Sequence, residues 1–316
     1  MGNVWLDGIM GVIVGDALGL PVQFLDRDEV KQNPVTGMRG YGTFNLPEGT
    51  WSDDGSLTLA TLESILNKKE IDCEDIMENF ADWLVEGKFT PFGYAFDQGN
   101  TCTRAIMQYA INGDIENCGI KGEWANGNGA LMRIMPVCLF AYEKVKDRLI
   151  SEKEGIEYVH QVSALTHNHL RSQMACGIYY FLIKAILQKQ GDLQETIARG
   201  LQDAKAYYQS DIQNYTELSH YGRLFEVEAF KQLPEDEISS TGYVVDSLEA
   251  AVWSLLNATT FEETALRAVN LGKDTDTVGA IACGLAGLYY GYEAIPDDWL
   301  EKIQCRNEIE EKCLKM

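Results

Sequence analysis

Glycine spacing constrains this chain more than any other feature. Gly11, Gly15 and Gly19 recur every four residues in the first helical segment, and Ala280, Gly284, Gly287 and Gly291 line one face of the segment after Asp276. A glycine inside a helix costs about 1 kcal/mol relative to alanine, so its repeated use at helical spacing needs a compensating contact. Close backbone approach between central helices supplies one, and helices packed that tightly bring their N-termini together at one point. Apolar or small residues recur at three and four elsewhere too, at Leu57, Ala60, Thr61 and Ser64, and at Val245, Leu248, Ala251, Val252 and Leu255. A long buried helix is expected over 170–187 and a short amphipathic one over 262–269. Strand-like pieces such as 41–44 are short and embedded in glycine and proline. No Gly/Ser tract or proline-rich linker divides the chain, and its seven prolines are scattered. The expected fold is all-α, one compact multi-helix domain over residues 1–316.

Composition narrows the partners. Forty-eight acidic against 26 basic residues give a net charge of −22, which repels phosphate backbones and anionic lipid headgroups, and no basic stretch offsets it. Neither nucleic acid nor a membrane surface is an expected partner. A chain of 316 residues buries roughly three quarters of its unfolded surface, so disulfides are not needed for stability. The eight cysteines (Cys73, Cys102, Cys118, Cys138, Cys176, Cys283, Cys305, Cys313) form no CxxC pair, and the four histidines supply no partner cluster for zinc. Asp7 and Asp16 interrupt the N-terminal segment, which makes a poor signal peptide, and the apolar run 278–292 falls short of the roughly 18 residues of a membrane span. A cytoplasmic monomer is the expectation. Charged stretches at 152–157 and 235–237 read as solvated faces.

Two places set carboxylates and hydroxyls at the head of a helix: Thr50-Trp51-Ser52-Asp53-Asp54-Gly55 and Lys273-Asp274-Thr275-Asp276-Thr277. Helix capping accounts for one aspartate at each, because an acid there accepts from free amides and favours the helix dipole. Two carboxylates per site exceed that need. If the sites converge, four aspartates with Ser52, Thr275 and Thr277 make an all-oxygen nest of the kind that selects Mg²⁺ or Mn²⁺, with enough carboxylates for two ions. Capping and metal binding both remain open on spacing alone. A third segment, Asn126-Gly127-Asn128-Gly129, is a turn whose backbone amides can point inward as an anion nest, or an ordinary turn. Neither a Walker A motif nor a GxGxxG is present, against a P-loop NTPase or a Rossmann dehydrogenase.

Taken together these segments resemble the ADP-ribosylglycohydrolase family. The matching pieces run in order through GDALGLPVQF (15–24), GTWSDDGSLTLATL (49–62), AFDQGNT (95–101), GNGALMRIMPV (127–137), LTHNH (165–169), YVVDSLEAAVW (243–253) and AVNLGKDTDTVGAIACGLAG (268–287). The resemblance implies an all-α fold with a central cleft holding two Mg²⁺ or Mn²⁺ ions, with Ser52, Asp53, Asp54, Asp274, Asp276 and Thr277 as ligands. It implies that Gly127, Asn128 and Gly129 cradle a diphosphate through backbone amides, that Asp97, Gly99 and Asn100 lie near the distal ribose, and that His167 lies near the phosphates or the adenosine side. The substrate implied is an ADP-ribosylated protein or a small ADP-ribosyl compound, cleaved at ribose C1″ through an oxocarbenium-like state. Asp54 or Asp276 would orient or deprotonate the attacking water.

One residue departs from the pattern. Gln23 stands where many members have a glutamate that lies at the metal centre, and an amide cannot serve as a base at neutral pH. Gly55 in place of threonine has no evident chemical cost. Three readings follow: a metal-dependent hydrolase releasing ADP-ribose, a non-catalytic ADP-ribose or nucleotide binder favoured by Gln23, and a dimetal phosphohydrolase that would instead yield AMP.

Overall fold

The computed structural model describes residues 2–316. Its helices are α1 (Val4–Gly19), α2 (Arg27–Gln32), α3 (Asp53–Lys68), α4 (Cys73–Glu86), α5 (Asn100–Asn112), α6 (Met135–Lys146), α7 (Glu152–Ala164) and α8 (Leu170–Leu187). They continue with α9 (Leu193–Gln209), α10 (Tyr215–Leu218), α11 (Val227–Lys231), α12 (Val244–Leu256), α13 (Phe261–Val269), α14 (Thr275–Tyr290), α15 (Asp297–Leu300) and α16 (Arg306–Leu314). Short 3₁₀ turns join several of them. No strand occurs among the described residues; residues 41–44 hold a 3₁₀ turn beside a single bridge from Tyr41 to Leu46. The charged stretch 152–157 opens α7, where Ser151 and Glu154 form a capping box.

The antiparallel pair α1 and α14 forms the centre. Both are apolar nearly all round, as helices without a solvent face must be, and α3, α6, α8, α12 and α13 pack around them. The glycines explain the pairing. A Cβ on Gly11 would stand 2.2 Å from the Cys283 carbonyl oxygen, one on Gly15 2.1 Å from that of Gly279, and one on Gly19 2.3 Å from the Asp276 nitrogen. No side chain fits at such distances, so each missing Cβ admits the partner's main chain.

The stripe on α14 differs from the expected one. Asp276, Gly279, Cys283 and Gly287 face α1, whereas Gly284 lies against the Tyr179 hydroxyl of α8 and Gly291 follows the helix as its C-cap at φ +89°. The reason is that α1 supplies most of the glycines and α14 most of the carbonyls, so a residue such as Cys283 can stand in the contact with its side chain turned elsewhere. Val4–Val22 is also longer and more apolar than the run at 278–292, enough by length and composition to cross a membrane; 89% of that window is buried within the fold.

Antiparallel packing puts the last turn of α1 against the first turn of α14. The C-terminal segment braces the loop before α3 from outside: Gln304 N–H donates to Gly49 O at 3.0 Å, and Trp51 Nε1–H donates to Gln304 O at 3.1 Å.

Candidate active site

Asp16, one turn from the end of α1, organises the site. Fully buried, it accepts hydrogen bonds from Ser52 N–H (3.0 and 2.9 Å to its two oxygens) and Gly55 N–H (2.9 Å). The capping of α3 is therefore performed by a residue of α1. Ser52 and Asp274, the N-caps of α3 and α14, make no side-chain cap bond of their own. The capping alternative thus leaves most of the aspartate oxygens unspent.

Those oxygens meet at the paired helix starts. Asp54 Oδ2 accepts from Ser52 Oγ at 3.3 Å and from Thr277 Oγ1 at 3.4 Å, joining α3 to α14. Thr277 N–H donates to Asp276 Oδ1 at 2.9 Å, and Thr275 Oγ1–H donates to Gly19 O at 2.8 Å. Asp54 Oδ1, Asp276 Oδ2 and Asp97 Oδ2 are buried without any hydrogen-bond partner. A buried polar atom left unpaired costs about 1–3 kcal/mol, and more when charged, so three of them in one place mark a site built for something further.

Electrostatics agrees. Burial pushes Asp53, Asp54 and Asp276 well above the usual carboxylate range, and the neighbouring aspartates push them further. Asp16 rises to about 7, mainly by burial against the opposing amide hydrogen bonds. Like charges this close in a low dielectric cannot all ionise without a cation. The donors are hard oxygens throughout, which fits Mg²⁺ or Mn²⁺ and not a thiophilic metal. Among the described residues no three Asp, Glu, His or Cys side chains are arranged to hold an ion by themselves. An ion here would therefore also draw on the Ser52 and Thr277 hydroxyls and on water, as magnesium sites commonly do.

Gln23 and Asp97 border this cluster. Gln23 is buried, its carbonyl accepts from Thr43 Oγ1 at 2.7 Å, and its Oε1 has no partner. Its side chain lies near Asp97 and Asp274: burial raises both acids, while neighbouring polar groups, Gln23 among them and at Asp274 also the Asn128 Nδ2 donor, act the other way. Gly99 and Asn100 are exposed at the start of α5, two and three residues after Asp97, with nothing within 4 Å of where a Gly99 Cβ would be.

The Gly127-Asn128-Gly129 turn sits beside Asp274 in a form that partly corrects the expectation. The Asn128 amide is not free to cradle an anion, because it donates to Gly242 O at 3.0 Å. Its side-chain Nδ2 donates to Asp274 Oδ2 at 2.6 Å and Ser247 Oγ at 2.8 Å, so Asn128 braces the start of α14. Among the described residues the N–H groups of Gly127 and Gly129 meet no acceptor.

His167 covers the same turn. Its Nε2 lies 3.5 Å from where a Cβ would stand at either Gly127 or Gly129. Thr166 Oγ1 accepts from Arg133 Nη2 at 2.9 Å and stands 2.9 Å from His167 Nδ1. With the guanidinium donating, the hydroxyl hydrogen is left for Nδ1, and the hydrogen-bond network assigns the ring proton to Nε2. Burial, then the Arg133 charge, lowers His167 to about 3. The ring is thus a neutral donor aimed at the turn. Arg133 itself is fully buried, with no partner for Nε or Nη1, and lies 4.4 Å from the Phe80 ring centre.

Asp16 and Asn128's bracing role were not foreseen from sequence. An aspartate inside an otherwise apolar helix was the available signal for the first, since acids are almost never fully buried unless paired.

The comparisons with known proteins bear on this geometry. Residues 5–315 match the model of the ADP-ribosylglycohydrolase family. The chain belongs to that family. The relatives include the ADP-ribosylarginine hydrolase Tri1 of Serratia proteamaculans, 31% identical over 95% of this chain and 75% of its own length. They also include the ADP-ribosyl-[dinitrogen reductase] glycohydrolase of Rhodospirillum rubrum, 31% identical over 96% of this chain and 92% of its own. Among solved structures, a chain of an ADP-ribosylglycohydrolase-related protein complex superposes with a TM-score of 0.78 at 31% identity, covering 99% of this chain and 96% of that one. The protein is accordingly a glycosyl-bond hydrolase of all-α fold.

Proposed function

We propose that this ADP-ribosylglycohydrolase cleaves the bond between ribose C1″ of ADP-ribose and an acceptor, a protein side chain such as arginine or a small molecule, and depends on two Mg²⁺ or Mn²⁺ ions. The observation that carries the metal reading is the set of partnerless buried oxygens on Asp54, Asp276 and Asp97, beside a helix start already capped by Asp16. Ser52, Asp53, Asp54, Asp274, Asp276 and Thr277 would hold the ions. Bound ions there would supply Lewis acidity, fix the ribose hydroxyls and lower the pKa of a water.

The chain's own groups do the rest. Asp54 and Asp276 each have one oxygen oriented by hydrogen bonds and one free, so whichever of the two leaves its free oxygen uncommitted to an ion can take a proton from the attacking water there. Gly127 and Gly129 offer amides, and His167 an Nε2–H, to the diphosphate. Being neutral donors, they bind the anion without adding charge near the carboxylates. Cysteines that are all unpaired fit a reducing, cytoplasmic location.

Gln23 favours a second reading, a binder that does not turn over, because its amide replaces a group able to carry a proton. The deciding assay offers arginine-linked and serine-linked ADP-ribosyl peptides with Mg²⁺, Mn²⁺ or chelator and identifies products by mass. Expected is metal-dependent release of intact ADP-ribose, reduced at least about 100-fold in kcat by Asp54→Asn. Binding of ADP-ribose without release would leave the binder standing, and AMP would indicate attack on the pyrophosphate.

A further inference from the structure

A run of aromatic rings borders the acidic cluster and serves no part of the chemistry described so far. Phe24 and Phe44 have ring centres 6.2 Å apart, Phe44 and Phe96 5.7 Å, Phe96 and Tyr94 6.2 Å, and Tyr94 and Phe92 6.3 Å. The run begins at the residue after Gln23 and passes through the residue before Asp97, so it is anchored at two members of the site. Single exposed apolar side chains are ordinary, but a contiguous patch is not. Here Phe24 is 62% exposed, Tyr94 49% and Phe92 39%.

The rings are held out by the backbone. Phe24 lies in the left-handed region at φ +69° and Asp97 at φ +54°, a conformation that costs a non-glycine residue about 1–3 kcal/mol and persists only where the surroundings impose it. Phe24 N–H is pinned by the Lys273 carbonyl at 2.6 Å, and the preceding Gln23 carbonyl by Thr43. The ring faces are also unused internally: lysines and arginines of this chain lie over other rings, such as Phe80, Tyr243 and Trp253, but over none of these five.

Aromatic faces stack planar groups, which here means a guanidinium or a nucleobase. Place and charge separate the two. The adenine of ADP-ribose lies across the diphosphate from C1″, whereas the ladder starts at Gln23 and Asp97 beside the carboxylates, the end at which C1″ and its acceptor are held on the reading above, and a protein of net charge −22 attracts a cation there. A serine linkage presents no planar group. We propose that the Phe24–Phe44–Phe96–Tyr94–Phe92 ladder is the acceptor platform, stacking the guanidinium of an ADP-ribosylated arginine at its Gln23 and Asp97 end and the flanking peptide further out. This assignment rests on the hydrolase reading above and specifies its substrate class.

The test compares wild type with Phe24→Leu, Phe96→Leu and Phe24→Tyr, measuring KM for arginine-linked and serine-linked ADP-ribosyl peptides and inhibition by free ADP-ribose. Leucine keeps apolar area and removes the π face; tyrosine keeps the face. Expected is a rise of about 3- to 20-fold in KM for the arginine-linked peptide in the leucine variants, restoration in Phe24→Tyr, and unchanged inhibition by ADP-ribose. An unchanged KM overturns the platform, as does an equal loss for serine-linked peptide or for ADP-ribose. If Phe24→Leu or Phe96→Leu does not fold, Tyr94→Leu reads the same surface. If wild type turns over no substrate, the hydrolase reading fails separately, and calorimetric binding of the arginine-linked peptide to the same variants decides: selective weakening supports the platform, and equal binding removes it.

Discussion

Gln23 places an amide between Asp97 and Asp274, where a glutamate would bring one more negative charge. The two outcomes of Gln23→Glu therefore separate by metal. With Mg²⁺ present, restoring a carboxyl able to carry a proton should raise kcat by about tenfold or more if the amide limits turnover; with chelator, the added repulsion should lower the melting temperature. An unchanged rate would show that Asp54 or Asp276 suffices as base. His167 is open to a sharper check. Thr166→Val removes the hydroxyl that satisfies Nδ1, so the imidazole should populate both tautomers, visible in its ¹⁵N shifts, and ADP-ribose affinity should fall. An unaltered tautomer in that variant would contradict the assignment of the proton to Nε2.

At the scale of helices, the site depends on how closely α1 and α14 approach. Gly15→Ala would put a methyl 2.1 Å from the Gly279 carbonyl oxygen, and backbone cannot yield as a flexible side chain would. The expected cost is at least about 2 kcal/mol by thermal or denaturant unfolding. Mg²⁺ affinity should weaken as well, since separating the helices moves Asp16 and the α3 cap away from Asp276. Gly99→Ala is the contrasting case: with open space and φ −62°, it should change stability by no more than about 0.5 kcal/mol. Equal stability losses in the two variants would count against backbone interlocking as the cause.

Across the whole molecule, buried carboxylates couple stability to pH and, on the proposed metal reading, to the bound ion as well. Asp16 has a folded pKa of about 7, raised from 3.8 chiefly by burial, so between about pH 4 and 7 the folded state holds a proton that the unfolded state has lost, and it sheds that proton as pH rises through 7. Stability therefore falls as pH rises through 7. His160, lowered to about 4, and His167, lowered to about 3, both chiefly by burial, act the opposite way, because the unfolded state binds protons on them below about pH 6.5, whereas Asp53, Asp54 and Asp276, also raised by burial, reinforce Asp16. In chelator the melting temperature should drop between pH 6.5 and 8; added Mg²⁺ should raise it most at pH 8, where ionised ligands bind the ion and binding to the native state adds stability. The same pH dependence in wild type and Asp16→Asn, both in chelator, would show that Asp16 ionises as in the unfolded chain.

Periodicity and motif were enough to read the all-α class, the helices α3, α8, α12 and α13 within a few residues, and the two aspartate pairs, because helical spacing and N-terminal acids are local properties of sequence. The contact of α1 with α14 was legible only as a need for close approach. Which residues of α14 meet it was not, since main-chain carbonyls carry no sequence signature. Asp16 capping α3 across 36 positions, Asn128 spending its amide and side chain on Gly242 and Asp274, and five aromatic residues from three loops meeting in one ladder were likewise decided by tertiary structure. Residue type determines what a side chain can do; whether its oxygen is free or already bonded depends on which distant backbone the fold brings to it.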